Sequence, residues 1–131
     1  MEVRKIKPAF EDERGAIIDI LRDEWIDNVS MLKSRKGAVR GNHYHKDTRQ
    51  AVYVLFGQVR LVAQMPGKEP ESVILTEGDL GITFEMESHA FEILEDADMV
   101  VLTRGPRGGE NYETDTYRLE VPLIPRTKVL S

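Results

Sequence analysis

Short runs of β-branched and aliphatic residues follow one another from Ala16 to Thr103, and nothing between them has the length or periodicity of a helix. The runs are Ala16 to Leu21, Val29 to Ser34, Ala51 to Phe56, Gln58 to Gln64, Ser72 to Leu75, Leu80 to Phe84, His89 to Leu94 and Met99 to Thr103. Glu13-Arg14-Gly15, Met65-Pro66-Gly67 and Glu77-Gly78-Asp79 supply the glycine or proline that tight reversals need. Val59, Leu61 and Ala63 alternate with Gln58, Arg60 and Gln64, the pattern of a half-buried antiparallel strand. So many short strands predict an all-β double-sheet jelly roll with little helix, apart from a short turn around Asp23 to Asp27.

At 131 residues the chain can bury one core but not two, so residues 1–131 are expected to form a single domain. No apolar run approaches the roughly 18 residues of a membrane span, and the N-terminus lacks the apolar core of a signal peptide. A cytoplasmic protein with no membrane partner is the expectation. The absence of cysteine excludes disulfides and thiolate metal sites.

A net charge of −5 argues against nucleic acid as a partner, but the cations are unevenly spread. Lys33, Arg35, Lys36, Arg40, Lys46 and Arg49 lie in one segment that holds a single acid, Asp47. Such a segment would draw a phosphate-bearing small molecule to its mouth, and arginine suits bidentate contact with phosphate. For Lys33, Lys36 and Lys46 a solvated loop is the alternative reading.

The same segment carries His43-Tyr44-His45. Side chains two apart on a strand project to one side, so the two imidazoles share a face and Tyr44 points away. In His89-Ala90-Phe91-Glu92-Ile93 the alternation puts His89, Phe91 and Ile93 on a common face. All three histidines of the chain can therefore meet inside one barrel. Imidazole at such a site is either a transition-metal ligand or a general base near neutral pH.

The spacing Gly37, His43, His45, Gln50, Gly57 resembles the first motif of the cupin superfamily, with Gln50 where that motif has glutamate. Gly78 and His89 resemble parts of the second motif. Within the cupins, Phe10-Glu11-Asp12-Glu13-Arg14-Gly15 and Arg40-Gly41-Asn42-His43 are similar to segments of the dTDP-4-keto-sugar 3,5-epimerases. That resemblance implies His43 as base and Arg40 in the pocket. It also implies Arg14 and Asp19 as nucleotide contacts, reached from a neighbouring subunit of a homodimer through an exchanged N-terminal strand. Ile17 stands where those enzymes have a base-stacking aromatic residue.

Arg40 to Lys46 followed by Gln50 is also similar to the sugar 3,4-ketoisomerases, which need no metal. Arg40 to His45, with Asp115-Thr116-Tyr117 downstream, resembles the cupin domain of capsular-polysaccharide epimerase/reductases, which binds zinc. The implied cofactor is thus either nothing or one divalent ion (Zn, Fe, Mn or Ni) on His43, His45, His89 and Gln50, although a neutral amide is a weak donor to such an ion and Gln50 reads equally as a residue that hydrogen-bonds the substrate in the pocket.

The implied chemistry is isomerisation or epimerisation of a nucleotide-linked 4-keto sugar, in which a proton leaves the carbon beside the carbonyl. His43 is the expected base, His45 or His89 its partner or the second proton carrier, and Arg40 or a bound cation the partner of the enolate oxygen. Tyr53 is the expected acid, ahead of Tyr112 and Tyr117. A metal-dependent cupin oxygenase and a non-catalytic sugar- or metabolite-binding domain are the competing readings, since one fold hosts all of them.

Overall fold

The computed structural model describes residues 1–106, 110 and 113–126, and among these there is no α-helix. The strands are β1 (Glu2–Lys5), β2 (Phe10–Asp12), β3 (Gly15–Ile17), β4 (Asn28–Ser34), β5 (Val39–Tyr44), β6 (Arg49–Gln64), β7 (Glu71–Thr76), β8 (Asp79–Thr83), β9 (Ser88–Arg104) and β10 (Tyr117–Arg118). Eight of them form one antiparallel sheet in the order β1-β8-β6-β9-β5-β10, with β4 also on β9 and β7 also on β6. Strands β2 and β3 stand apart as a two-stranded sheet.

The two longest strands, β6 and β9, pair with one another from Arg49↔Arg104 to Gln64↔Ser88 and form the spine. The sequence pattern divides each of them in two; the structure joins the halves. In β6 the join is Gly57, whose φ of +97° lets the strand turn a corner through bulges between Val54 and Val59. A Cβ there would lie 2.3 Å from the Asp96 carbonyl oxygen, so only glycine fits. In β9 the polar stretch Glu95 to Asp98 resembles a turn in composition, yet it continues the strand: Ala97 and Asp98 pair with β4, and Glu95 and Asp98 with β6.

The Ala16 to Leu21 run is a strand only as far as Ile17. Near Asp23 to Asp27 the chain is laced onto the end of β9 instead of coiling. Asp27 N donates to Thr103 O at 2.8 Å, and the Asp27 carboxylate accepts from Trp25 Nε1 and Gly105 N. Those bonds, the Trp25 bond foremost, hold the Asp27 carboxyl below its ordinary range.

Inside the barrel Val52, Val54, Val59, Leu61, Leu75, Phe91, Ile93, Ala97, Met99 and Val101 form the main core. Fully burying one such side chain is worth about 1.5–3 kcal/mol. The corner at Gly57 shows in this set: β6 turns even-numbered residues inward before it and odd-numbered ones after it. On the outer face Ala51, Tyr53, Leu80 and Ile82 are covered by Ile6, Ile20, Leu21 and Phe84. No helix in the described chain is long and apolar enough to cross a membrane.

Candidate functional site

Arg40 and His43 are an odd number of positions apart, which in a regular strand would send them to opposite faces. A bulge in β5 brings them together. Arg40 pairs with Phe91, Gly41 with Ala90 and His43 with His89, so Asn42 is the extra residue. Gly41 and Asn42 both adopt left-handed backbone, at φ 86° and 59°. A Cβ on Gly41 would meet His89 O at 2.9 Å, so the close approach of β5 to β9 needs glycine here. Asparagine tolerates the left-handed region better than most residues, and here it is anchored as well. Its side-chain amide donates to Ile124 O at 2.9 Å and accepts from Ile124 N at 3.1 Å. Leu119 N donates to Asn42 O at 2.9 Å.

The structure brings His43, His45 and His89 into one cluster. Ring centroids of His43 lie 4.8 Å from those of His45 and of His89, and His45 is 5.1 Å from His89. His45 and His89 are buried, at 2% and 1% exposure, and His43 is half-buried. A carbonyl oxygen can only accept, so the Nδ1–H of His45 donates to Asp115 O at 2.8 Å and that of His89 to Glu87 O at 3.3 Å. This fixes the tautomer and leaves the lone pair on Nε2, the arrangement that metal-binding imidazoles use. The ligand atoms of the three rings lie within 4.8 Å of one another. The donor set thus fits a borderline divalent first-row ion.

Asp115 braces the turn that follows His45. Its carboxylate accepts from Lys46 N at 3.0 Å, Asp47 N at 2.7 Å and Thr48 Oγ1 at 2.8 Å. Burial pushes this carboxyl upward, but those hydrogen bonds outweigh it and hold the group below its ordinary range. Sequence reading marks Asp115 only through resemblance; its work becomes visible in the contact with a turn 67 to 69 positions away.

In front of the histidines lies a cavity of about 280 Å³, lined on its polar side by Arg40, His43, Gln50, Thr103, Glu113, Thr116, Arg118 and Arg126 and elsewhere by residues such as Phe91 and Val101. Arg40 is held by Nε donating to Ser34 Oγ at 2.8 Å and Nη2 to Lys33 O at 3.2 Å. Gln50 is buried on β6 and joins the cavity wall.

Other expected residues fall elsewhere. Tyr53, the expected acid, packs on the outer face with Ala51, Leu80 and Ile82, because it is one step out of phase with Gln50 and Val52. Tyr117 lies against Tyr44, with ring centroids 5.3 Å apart, and Lys46 Nζ sits 4.4 Å from the Tyr117 centroid. Tyr112 lies outside the described residues. Arg14 pairs with Asp12 in the β2–β3 hairpin, where three hydrogen bonds, that from the Arg14 side chain foremost, lower the Asp12 carboxyl. Asp19 lines a separate depression with Arg4 and Arg22. Within one chain neither reaches the histidine cavity.

The basic segment is also redistributed. Lys33 pairs with Asp98, Lys36 with Glu95 and Arg49 with Glu24, and of those cations only Arg40 lines the cavity. Its companions there are Arg118 and Arg126, on a C-terminal segment whose local pattern carries no signal of a site.

A search of curated proteins finds no match to the sequence. Among solved structures, the chain is similar to the sugar 3,4-ketoisomerase of Thermoanaerobacterium thermosaccharolyticum in complex with TDP (TM-score 0.74, 21% identity, 91% of this chain and 88% of that one). It is also similar to a 3,4-ketoisomerase from Helicobacter canadensis (TM-score 0.74, 19% identity, 89% of each chain). A third is the dTDP-6-deoxy-D-glucose-3,5-epimerase of Legionella pneumophila, in complex with dTDP-4-keto-L-rhamnose (TM-score 0.73, 20% identity, 89% of this chain and 71% of that one). These likenesses identify the barrel as a cupin jelly roll. The family described as the polysaccharide biosynthesis C-terminal domain matches residues 10–117, most of the chain and all of the histidine cluster, and the protein belongs to that family.

Proposed function

We propose that the protein isomerises or epimerises a nucleotide-linked 4-keto sugar, in the biosynthesis of a deoxysugar or surface polysaccharide. One observation carries the reading: Arg40, His43 and Gln50 line a single cavity whose wall also bears Arg118 and Arg126. That combination offers a base beside a fixed guanidinium at one part of the cavity and cations for a diphosphate at another. The similar enzymes are seen with TDP and with 4-keto sugar conjugates of it, which supports the same substrate class here.

In this mechanism His43 removes a proton from the carbon next to the ketone. The C–H electron pair becomes the enolate, whose oxygen Arg40 stabilises. Its two bonds to Ser34 and Lys33 engage only part of the five guanidinium donors. The proton returns to a neighbouring carbon or to the opposite face, with His45 or His89 as the second carrier. The three histidines would hold a divalent cation such as zinc, iron, manganese or nickel, which supplies Lewis-acid polarisation of a substrate oxygen. A histidine that gives its lone pair to an ion cannot accept a proton with it, so the loaded form has a different base or a different reaction. The three-histidine cluster is likewise the observation that favours the alternative of a metal-dependent cupin enzyme acting on another small molecule.

The test is incubation with TDP-4-keto-6-deoxyglucose in deuterated solvent, with and without chelator. Exchange of a proton beside the ketone is the expected result. His43→Asn should abolish it, and Arg40→Lys, which keeps the charge but loses the planar fork, should slow it about a hundredfold. Wild type that exchanges no sugar proton overturns the reading. Metal found by elemental analysis, with exchange lost on chelation, would move His43 from base to ligand.

A further inference from the structure

One of the arginines on the cavity wall already holds an anion supplied by the chain itself. Arg118 Nη2 donates to Glu113 Oε1 at 2.8 Å, and both residues line the cavity. Among the described lining residues Glu113 is the only carboxylate, set in a wall that also carries Arg40 and Arg126. A turn brings the pair together: Thr116 N donates to Glu113 O at 3.2 Å, and the chain then enters β10, where Tyr117 and Arg118 pair with Tyr44 and His43 of β5. Arg118 therefore stands on a paired strand, and Glu113 on the turn before it.

Both side chains are open to water, at 60% and 47% exposure, and an ion pair so exposed is weakly held. A phosphate that enters the cavity can take the same guanidinium fork and displace the carboxylate. The short turn keeps the displaced Glu113 close to the bound anion, and the repulsion between them grows with the charge of the ligand. Free nucleoside diphosphate ends in a phosphate monoester, whose second proton leaves at a pKa of about 6. In a nucleotide sugar that oxygen is esterified to the hexose and cannot ionise. Glu113 thus opposes the free nucleotide more strongly than the sugar conjugate.

We infer that Glu113 is a specificity-determining residue: it occupies Arg118 in the empty cavity, yields it to the diphosphate of a nucleotide sugar, and disfavours free nucleoside diphosphate. The inference rests on the function proposed above, in which Arg118 and Arg126 take the diphosphate and Arg40 the enolate oxygen. Such selection matters to that function because the free nucleotide shares the phosphate contacts of the substrate and would otherwise fill the same cavity.

The experiment is calorimetric titration of wild type, Glu113→Gln and Arg118→Gln with TDP and with TDP-4-keto-6-deoxyglucose, at low and at high salt. Substrate and isomerised product carry the same charge, so turnover during the titration leaves the comparison intact. Glu113→Gln keeps the side-chain volume and removes the charge. Its affinity for TDP should rise about tenfold and that for the conjugate only about threefold, both gains shrinking at high salt. Arg118→Gln should weaken both ligands. A pair that merely props up the turn predicts the opposite sign, a loss of affinity in Glu113→Gln. Three results overturn the assignment while leaving the proposed function standing: TDP affinity unchanged or lowered in Glu113→Gln, equal gains for TDP and conjugate, or an Arg118→Gln that binds both ligands as wild type does. A wild type that binds no sugar conjugate brings down the proposed function and this assignment with it.

Discussion

Asn42 and Asp115 do more for the site than their positions in the sequence suggest. Asp115 gathers two backbone N–H groups and a hydroxyl from the turn after His45, while its own carbonyl orients that histidine. Asp115→Ala leaves those donors unpaired and should cost roughly 3 kcal/mol, read as a lowered denaturation midpoint. Asn42→Ala removes both bonds to Ile124 and should cost roughly 2 kcal/mol, with faster proteolysis of the segment from Leu119 to Ile124 as its signature. An unchanged midpoint in either variant would contradict these roles. The histidines and Arg40 were legible in the sequence because they sit in a local pattern. Asn42 was not, and Asp115 was marked only through resemblance, since each draws its meaning from partners far along the chain.

Strand alternation revealed most of the inward face, including His89, Phe91 and Ile93, because period-two burial leaves a direct trace. It failed at breaks of phase. The bulge at Asn42 brings Arg40 to the side of His43, and the corner at Gly57 lets one strand run where two were expected. Tyr53 lies where no phase is broken: regular alternation with Val52 and Val54 puts it on the outer face, away from the cavity for which its identity suggested it as an acid. Gly57→Ala should be strongly destabilising, by more than about 3 kcal/mol, since the new methyl meets backbone and cannot be accommodated by a side-chain rotation. Gly41→Ala should cost less, as its contact is 2.9 Å, but should displace His89 and weaken any ion bound by the three rings. Metal content per chain, measured on purified Gly41→Ala beside wild type, checks this.

At the scale of the molecule the expected homodimer remains a proposal with a definite geometry. Strand β1 pairs with β8 within the chain. The β2–β3 hairpin is different: it bears exposed Phe10 and Ile17 next to Arg14, and β4 exposes Val29 and Met31. Light scattering should give about twice the 14.9 kDa chain mass, and Ile17→Glu should halve it. A wild-type monomer at micromolar concentration would leave Arg14 a surface residue. The clasp between Asn42 and Ile124 also has a consequence in time. It spans 82 positions, and Asp115 reaches His45 across 70, so the candidate site closes through some of the longest loops in the chain. Contacts of that kind form late and slowly. During synthesis the histidines must wait, unbraced, for the C-terminal segment to emerge, and the cavity is among the last parts of the protein to come into being.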